Sequence, residues 1–180
     1  SIPGMTEALV WILALPLGGA LAATAWPRRA QGVGLVTALL TSAAAGAALY
    51  QVGADGPRTL ELGGWSRGLG IALYADGLAV VLVALTAVVA LAGSVYATGY
   101  FTSHAVRARF WPLWLLLWAA LNALFLAADL FNLYVTLELI GLSAVALAAL
   151  GGQRAAVEAA LRYLLVGLLG SMAYLAGVAL

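Results

Sequence analysis

The sequence has 180 residues, of which 65% are hydrophobic and only 8% are charged. Soluble domains carry about 25% charged and about 45–50% apolar residues, so this composition excludes a water-soluble globular protein. The net charge of +1 excludes a basic nucleic-acid-binding protein. The lack of Cys, with only one His, excludes iron–sulfur clusters held by Cys, Cys₂His₂ zinc sites and disulfides. We therefore predict an integral membrane protein without a cofactor.

Six long stretches of the sequence are nearly free of charge. A bilayer core of about 30 Å is crossed by about 20 helical residues, and each stretch has roughly that length. The stretches are apolar on all sides, whereas barrel strands alternate, so they indicate helices. The predicted spans are 8–25, 32–52, 77–98, 110–127, 130–150 and 159–180. The predicted fold is an all-α integral membrane protein with about six transmembrane helices.

The first span is not typical of a signal peptide. Signal peptides carry positive charge before the apolar stretch and a small-residue cleavage site after it. Here Glu7 precedes the stretch, and Trp26 begins a Trp-Pro-Arg-Arg run that follows it. Residues 1–4, before Met5, are expected to be a cloning remnant. Residues 5–180 are expected to form one membrane domain.

The arginines predict the orientation in the cell membrane. The connections after spans one, three and five contain five of them: Arg28, Arg29, Arg107, Arg109 and Arg154. On the opposite side only Arg58 and Arg67 occur, both in one connection. Because basic loops stay in the cytoplasm, the N-terminus is predicted to be extracytoplasmic.

The one long connection, residues 53–76, is predicted to lie outside. Two short alternating stretches separated by a Gly-rich turn favour a β-hairpin on the membrane surface. An ordered loop without a sheet remains the alternative. In the hairpin, Trp65 and Tyr74 would lie at headgroup level.

Glu138 is the costly residue of the fifth span. It lies nine residues after Asp129, or about 13 Å along a helix, and so close to the middle of the membrane. An acidic group at that depth costs roughly 2.5–3.5 kcal/mol on insertion scales, so it should face protein or water. A proton or cation site is the favoured interpretation, and a protonated Glu that merely bonds a neighbouring helix is the alternative. Tyr134 lies one turn outward on the same face, and Gly141 is expected to let another backbone approach.

Two other charged groups near the spans are candidates for the same site. Arg162, about one turn inside the sixth span, is either an anchor that reaches the headgroups or a fixed charge beside an ion path. Glu158 is its expected salt-bridge partner. Asp76 is predicted to cap the third span, whereas Asp129 can cap the fifth or take part in translocation.

Polar side chains elsewhere have simpler predicted roles. Asn122 and Asn132 are expected to form hydrogen bonds between helices. His104 is expected to be a solvated loop residue. An intramembrane serine protease would need Ser171, about mid-depth in the sixth span, to meet a His, and the single His lies at the cytoplasmic surface, so membrane catalysis is not predicted.

The fourth and fifth spans resemble a known family. The run Asp129-Leu-Phe-Asn-Leu-Tyr134-Val-Thr-Leu-Glu138, with Phe110-Trp-Pro before it and Glu158-Ala-Ala-Leu-Arg162 after it, is similar to the antiporter-like subunits. This family is shared by Mrp-type sodium/proton antiporters, complex I and membrane-bound hydrogenases. The resemblance is strongest to the D-type subunit of the Mrp antiporters.

The resemblance implies a role for Glu138. In the family, the Glu of the fifth helix pairs with a Lys in a broken seventh helix, and the pair belongs to a proton path. Arg162 falls where the family often has Lys. Family members have about fourteen helices in two inverted repeats, so the sequence would match an N-terminal portion.

The implied function is proton and cation (Na⁺) translocation within a complex of several membrane subunits, with Glu138, Arg162, Tyr134 and Asp129 as the candidate residues. One alternative is a proton-pumping subunit of a complex I or hydrogenase-type respiratory complex. Another is a scaffold that docks neighbouring subunits. The expected partners are other membrane subunits, the lipid bilayer, H⁺ and Na⁺, and not nucleic acid.

Overall fold

The computed structural model describes residues 3–62 and 71–179, which form six long α-helices and a small antiparallel sheet. The elements are α1 (Pro3–Ala25), a 3₁₀ turn (Pro27–Arg29), α2 (Ala30–Asp55), β1 (Arg58–Leu62), β2 (Ile71–Ala75), α3 (Gly77–Tyr100), α4 (His104–Leu126), α5 (Leu130–Ala148) and α6 (Arg154–Ala179). All six helices are long and apolar enough to cross a membrane. The predicted all-α multi-pass membrane protein with a hairpin between the second and third helices is confirmed.

Three helices, α1, α4 and α6, begin five or six residues before the predicted spans. α4 starts at residue 104 rather than 110, and α6 starts at residue 154 rather than 159. His104 is thus the exposed first residue of α4 and not part of a loop. Arg107, in the next turn, donates hydrogen bonds to Gln31 Oε1 at 3.0 Å and to the Thr102 carbonyl at 2.9 Å. Charge gaps mark the hydrocarbon-crossing part of a helix, whereas the helix itself continues into the polar zone.

Helix α4 lies in the centre of the bundle. Its side chains Trp111, Leu115 and Trp118 are at most 1% exposed, and it contacts α1, α2, α3 and α5. The α2 backbone approaches α4 closely at Gly34, where an added Cβ would overlap the Trp111 indole. The six-membered ring of Trp111 occupies the space that a side chain at position 34 would need. The contact between Gly34 and Trp111 therefore sets the register of α2 against α4.

A buried polar contact joins α1 to α4 within this core. Pro16 lies inside α1, and because proline has no N–H, the Ile12 carbonyl loses its helical donor. The Asn122 Nδ2 group donates to that carbonyl at 3.1 Å, and Asn122 is fully buried. The predicted interhelical hydrogen bond of Asn122 is therefore confirmed, and it satisfies the backbone oxygen that Pro16 leaves without a donor.

The hairpin is held on both edges of β2. β1 and β2 pair from Arg58 opposite Ala75 to Leu62 opposite Ile71. On the other edge, the Ala128 N–H donates to the Ala72 carbonyl at 3.0 Å. Leu73 and Ala75 are buried, whereas Tyr74 is exposed, as expected for a strand lying on the bundle. Trp65 lies outside the described residues, and the headgroup level of Tyr74 stays a prediction.

Helix α6 is the least covered element. It packs mainly against α5, and the membrane-crossing window of α6 is 0% buried, compared with 44% for α4. One side of the α5–α6 pair therefore faces the bundle, and the other side is open.

Candidate functional site

A cleft of about 260 Å³ lies between α5 and α6, and Glu138 lines it. The other lining residues are Tyr134, Leu137, Gly141, Leu142, Val145, Tyr163, Leu164, Gly167, Leu168, Gly170, Ser171 and Tyr174. Tyr134 of α5 stacks on Tyr174 of α6. Because the two helices run antiparallel, Glu138, four residues after Tyr134, lies beside Gly170 and Ser171, which precede Tyr174 by four and three residues. The carboxyl group therefore faces a cavity with a companion helix, rather than a surface without one.

Two tyrosines border the cleft one turn outward of Glu138. The rings of Tyr134 and Tyr174 are nearly parallel, at 3°, with centroids 6.3 Å apart. The Tyr174 hydroxyl donates to the Leu130 carbonyl at 3.2 Å, in the first turn of α5. This contact joins the N-terminal end of α5 to the C-terminal end of α6.

The carboxylate of Glu138 forms no hydrogen bond or ion pair within residues 3–62 and 71–179. The Ser171 hydroxyl, at about the same level on α6, donates instead to the Leu168 carbonyl of its own helix at 3.0 Å. Glu138 is partly exposed, so the cleft leaves room beside the acid for water or for a further group.

Glycines open the cleft rather than bringing backbones together. A Cβ built at Gly141, Gly167 or Gly170 meets no atom within 4 Å. The expectation that Gly141 permits close backbone approach is therefore wrong. The missing side chains on α5 and α6 instead leave space on both sides of Glu138.

Asp129 forms the N-terminal cap of α5. Its Oδ1 accepts the Asn132 N–H at 2.6 Å, and its Oδ2 accepts the Ala72 N–H of β2 at 3.4 Å. The predicted cap at Asp76 is also present, since Asp76 accepts the Ala79 N–H at 2.8 Å. Both oxygens of Asp129 thus hold backbone groups, which fixes the start of the helix that carries Glu138; a direct part in translocation stays a prediction.

Replacing Asp129 by Ala is expected to lower the stability of the protein by about 1 kcal/mol, the usual cost of losing an N-cap. Asp129→Asn should cost less, because the amide oxygen can still accept the Asn132 N–H. Thermal unfolding in detergent measures both, with Asp55→Ala at the exposed end of α2 as the control. If Asp129→Ala unfolds at the same temperature as Asp55→Ala, the cap is not a determinant of stability.

The structure does not bring Arg162 into the cleft. Arg162 is exposed, is not among the residues that line the cavity and forms no hydrogen bond or ion pair with another described residue. The expected Glu158–Arg162 salt bridge is wrong, since Glu158 pairs with Arg154 at 2.9 Å instead. That pair is exposed and contributes little to stability. A functional charge at Arg162 stays a prediction.

Asn132 was also expected to form a hydrogen bond between helices. The Asn132 Nδ2 atom is buried and has no hydrogen-bond partner in the described part of the chain, so the expected interhelical bond is not formed there. The described residues include no group of three or more His, Cys, Asp or Glu that could hold a metal ion.

The contribution of α6 to the site was not predicted from the sequence. Tyr163, Gly167, Gly170 and Tyr174 all line the cleft. Their spacing of three or four residues places them on one helical face, and this periodicity could have identified them as a set. Without the register of α5 against α6, nothing in the sequence assigns that face to Glu138.

No protein-family model matches the sequence. The N-type subunit of the NADH-quinone oxidoreductase of Desulforudis audaxviator is 39% identical over 176 residues, covering 94% of this chain and 35% of that protein. The D-type subunit of the Na(+)/H(+) antiporter of Alkalihalophilus pseudofirmus is 32% identical over 148 residues, covering 82% of this chain and 29% of that protein.

A solved structure has the same fold. A chain of the membrane-bound sulfane sulfur reductase, an archaeal respiratory membrane complex, superimposes with a TM-score of 0.89 at 29% identity, covering 97% of this chain and 36% of that one. The chain thus spans about a third of the length of the relatives it matches. Sequence and fold agree with the resemblance in the fourth and fifth helices: the chain belongs to the family of antiporter-like membrane subunits, which includes the D-type subunits of Mrp-type antiporters and the N-type subunits of complex I.

Proposed function

We propose that the chain is part of a subunit that translocates protons and monovalent cations in a multisubunit Na⁺/H⁺ antiporter, with Glu138 as the group that takes up and releases the proton. The observation that carries this proposal is the position of Glu138 in a cleft between two membrane helices. A carboxylate among apolar helices is costly and therefore rare, and such residues mark ion and proton pathways.

The chemistry of the proposed site follows from the state of the carboxyl group. When a positive charge approaches, the ionised form is favoured and the proton is released; when the charge withdraws, desolvation favours the protonated form. The space beside Gly141 and Gly170 allows water to reach the carboxyl group, and Tyr134 offers a hydroxyl one turn outward. Because an Arg does not release its proton in proteins, Arg162 would act as a fixed charge that biases the field.

The subunit lies in the cell membrane with its N-terminus extracytoplasmic, as the distribution of arginines favours. It assembles with other membrane subunits, and the open side of the α5–α6 pair supports this, since a membrane helix that bears a charge is normally covered by protein. The name of the Alkalihalophilus pseudofirmus relative, an Na(+)/H(+) antiporter subunit, supports Na⁺ as the coupled cation.

The second candidate is a proton-pumping subunit of a respiratory complex. Both the oxidoreductase relative and the solved respiratory complex favour it. The purified complex that contains this chain, reconstituted into vesicles with a pH-sensitive dye inside, distinguishes the two. Acidification or alkalinisation driven by a Na⁺ gradient supports the antiporter; a pH change that requires an electron donor and acceptor, and is indifferent to Na⁺, overturns the antiporter in favour of the respiratory complex.

Filling the cleft is expected to slow translocation without unfolding the helix. A methyl group at position 141 meets open space, and Ala stabilises a helix by up to about 1 kcal/mol relative to Gly. Gly141→Ala should therefore reduce the rate of proton movement several-fold, and Gly141→Leu should reduce it further. Gly46→Ala, at an equally open glycine of α2 outside the cleft, is the control. Full activity in Gly141→Leu would contradict a role for the cleft.

A further inference from the structure

We propose that the protein has an internal water site between α2 and α4, formed by Thr41, Trp118 and Asn122, on a different helix pair from the Glu138 cleft. These side chains are at most 1% exposed, and each has a buried polar atom with no hydrogen-bond partner in the described part of the chain: Thr41 Oγ1, Trp118 Nε1 and Asn122 Oδ1. Polar atoms left unpaired in an apolar interior destabilise the folded protein.

The register of α2 against α4 places Thr41, Trp118 and Asn122 close together. α2 and α4 run in the same direction from the side that carries Arg28 and His104, and Gly34 contacts Trp111. Two helical turns further along each helix, Thr41 and Trp118 lie at the same level. Asn122 follows Trp118 by one turn on the same face of α4. Trp118 also belongs to the same buried cluster as Ala38 and Ala45, which flank Thr41 on its helix.

The Thr41 hydroxyl, like that of Thr37 one turn earlier, differs from most Ser and Thr hydroxyls of the described helices. Eight of these donate to a carbonyl three or four residues earlier, namely those of Thr24, Ser42, Thr86, Ser94, Thr98, Thr136, Ser143 and Ser171. Thr41 is fully buried and forms no such bond. The neighbouring indole of Trp114 likewise finds an acceptor, the Ser94 hydroxyl at 3.0 Å, whereas that of Trp118 does not.

The free atoms match the hydrogen bonds of a water molecule. The orientation of the Asn122 amide is fixed, because only its Nδ2 can serve the carbonyl that Pro16 leaves without a donor, so its oxygen is the remaining atom. The Trp118 Nε1–H group can donate to a water molecule and the Asn122 Oδ1 atom can accept from it, whereas the Thr41 hydroxyl can do either. Buried waters typically make about three such bonds.

The test uses the intact membrane complex that contains this chain. In a high-resolution cryo-electron microscopy map, a density peak within hydrogen-bonding distance of at least two of the three atoms is expected. Direct contact between the atoms, or apolar side chains filling the space between them, would overturn the proposal.

Hydroxyl-radical footprinting supplies a second readout, because radicals formed from bound water label buried neighbours. Trp118 should be oxidised several-fold faster than Trp111, an equally buried indole of the same helix. Thr41→Val should lower the labelling of Trp118 to that of Trp111, whereas Thr86→Val, which removes a hydroxyl already bonded to its own helix, should not. Equal labelling of the two indoles in the natural protein would refute the site.

Discussion

Replacing Glu138 by Gln is expected to reduce ion-driven pH change in vesicles to the level of vesicles without the complex. Gln has nearly the same shape as Glu and keeps a polar group in the α5–α6 cleft, but it cannot gain or lose a proton in the physiological range. In the proposed cycle the proton passes through this one carboxyl group, so its loss should stop translocation rather than slow it. The measurement is dye-reported proton movement after a cation jump.

The control for this prediction is Glu158→Gln. Glu158 is also a Glu of a membrane helix, but it is exposed and pairs with the exposed Arg154, so its loss should leave transport nearly unchanged. Co-purification of the other subunits shows whether each variant assembles. Undiminished transport in an assembled Glu138→Gln complex would eliminate the proton-carrying role, and failure of that variant alone to assemble would favour the scaffold.

Those parts of the fold that depend on local pattern could be predicted from the sequence. Charge-free stretches located the six helices, alternation located the hairpin, and Asp76 and Asp129 were recognisable caps because an acidic residue stood just before each apolar run. The position of Glu138 in the middle of the fifth helix followed from counting residues. In each case the physical constraint acts within about one element of structure.

The remaining features depend on which helices meet. Arg154 and Arg162 are each four residues from Glu158, on opposite sides, so spacing alone allowed either salt bridge. Gly141 can permit close packing or open a cleft, and only the position of α6 decides between them. Asp129 holds β2 across a separation of 57 residues, which no local pattern encodes. Tertiary register therefore determines the surroundings of Glu138, although the sequence alone singled out this residue as a candidate.

The contact between Asn122 and the Ile12 carbonyl leads to the largest expected effect on stability. Asn122→Leu removes the only donor that the structure provides, within its described residues, to the carbonyl that Pro16 leaves free. An unsatisfied buried acceptor costs about 1–3 kcal/mol, and inside a bilayer no bulk water is available to replace the lost bond. Thermal unfolding of the detergent-purified complex, followed by tryptophan fluorescence, should show a clear decrease in the midpoint temperature.

The cause of that loss can be tested by changing the other partner. In Pro16→Ala the residue regains its backbone N–H, which can donate to the Ile12 carbonyl within α1. Asn122→Leu should therefore cost less in the Pro16→Ala background than in the natural one, even though the smaller side chain at the fully buried position 16 leaves a cavity of its own. A double-mutant cycle isolates this coupling. If the Asn122→Leu cost is the same in both backgrounds, the side chain stabilises the protein through packing, and the proline in α1 is unrelated to it.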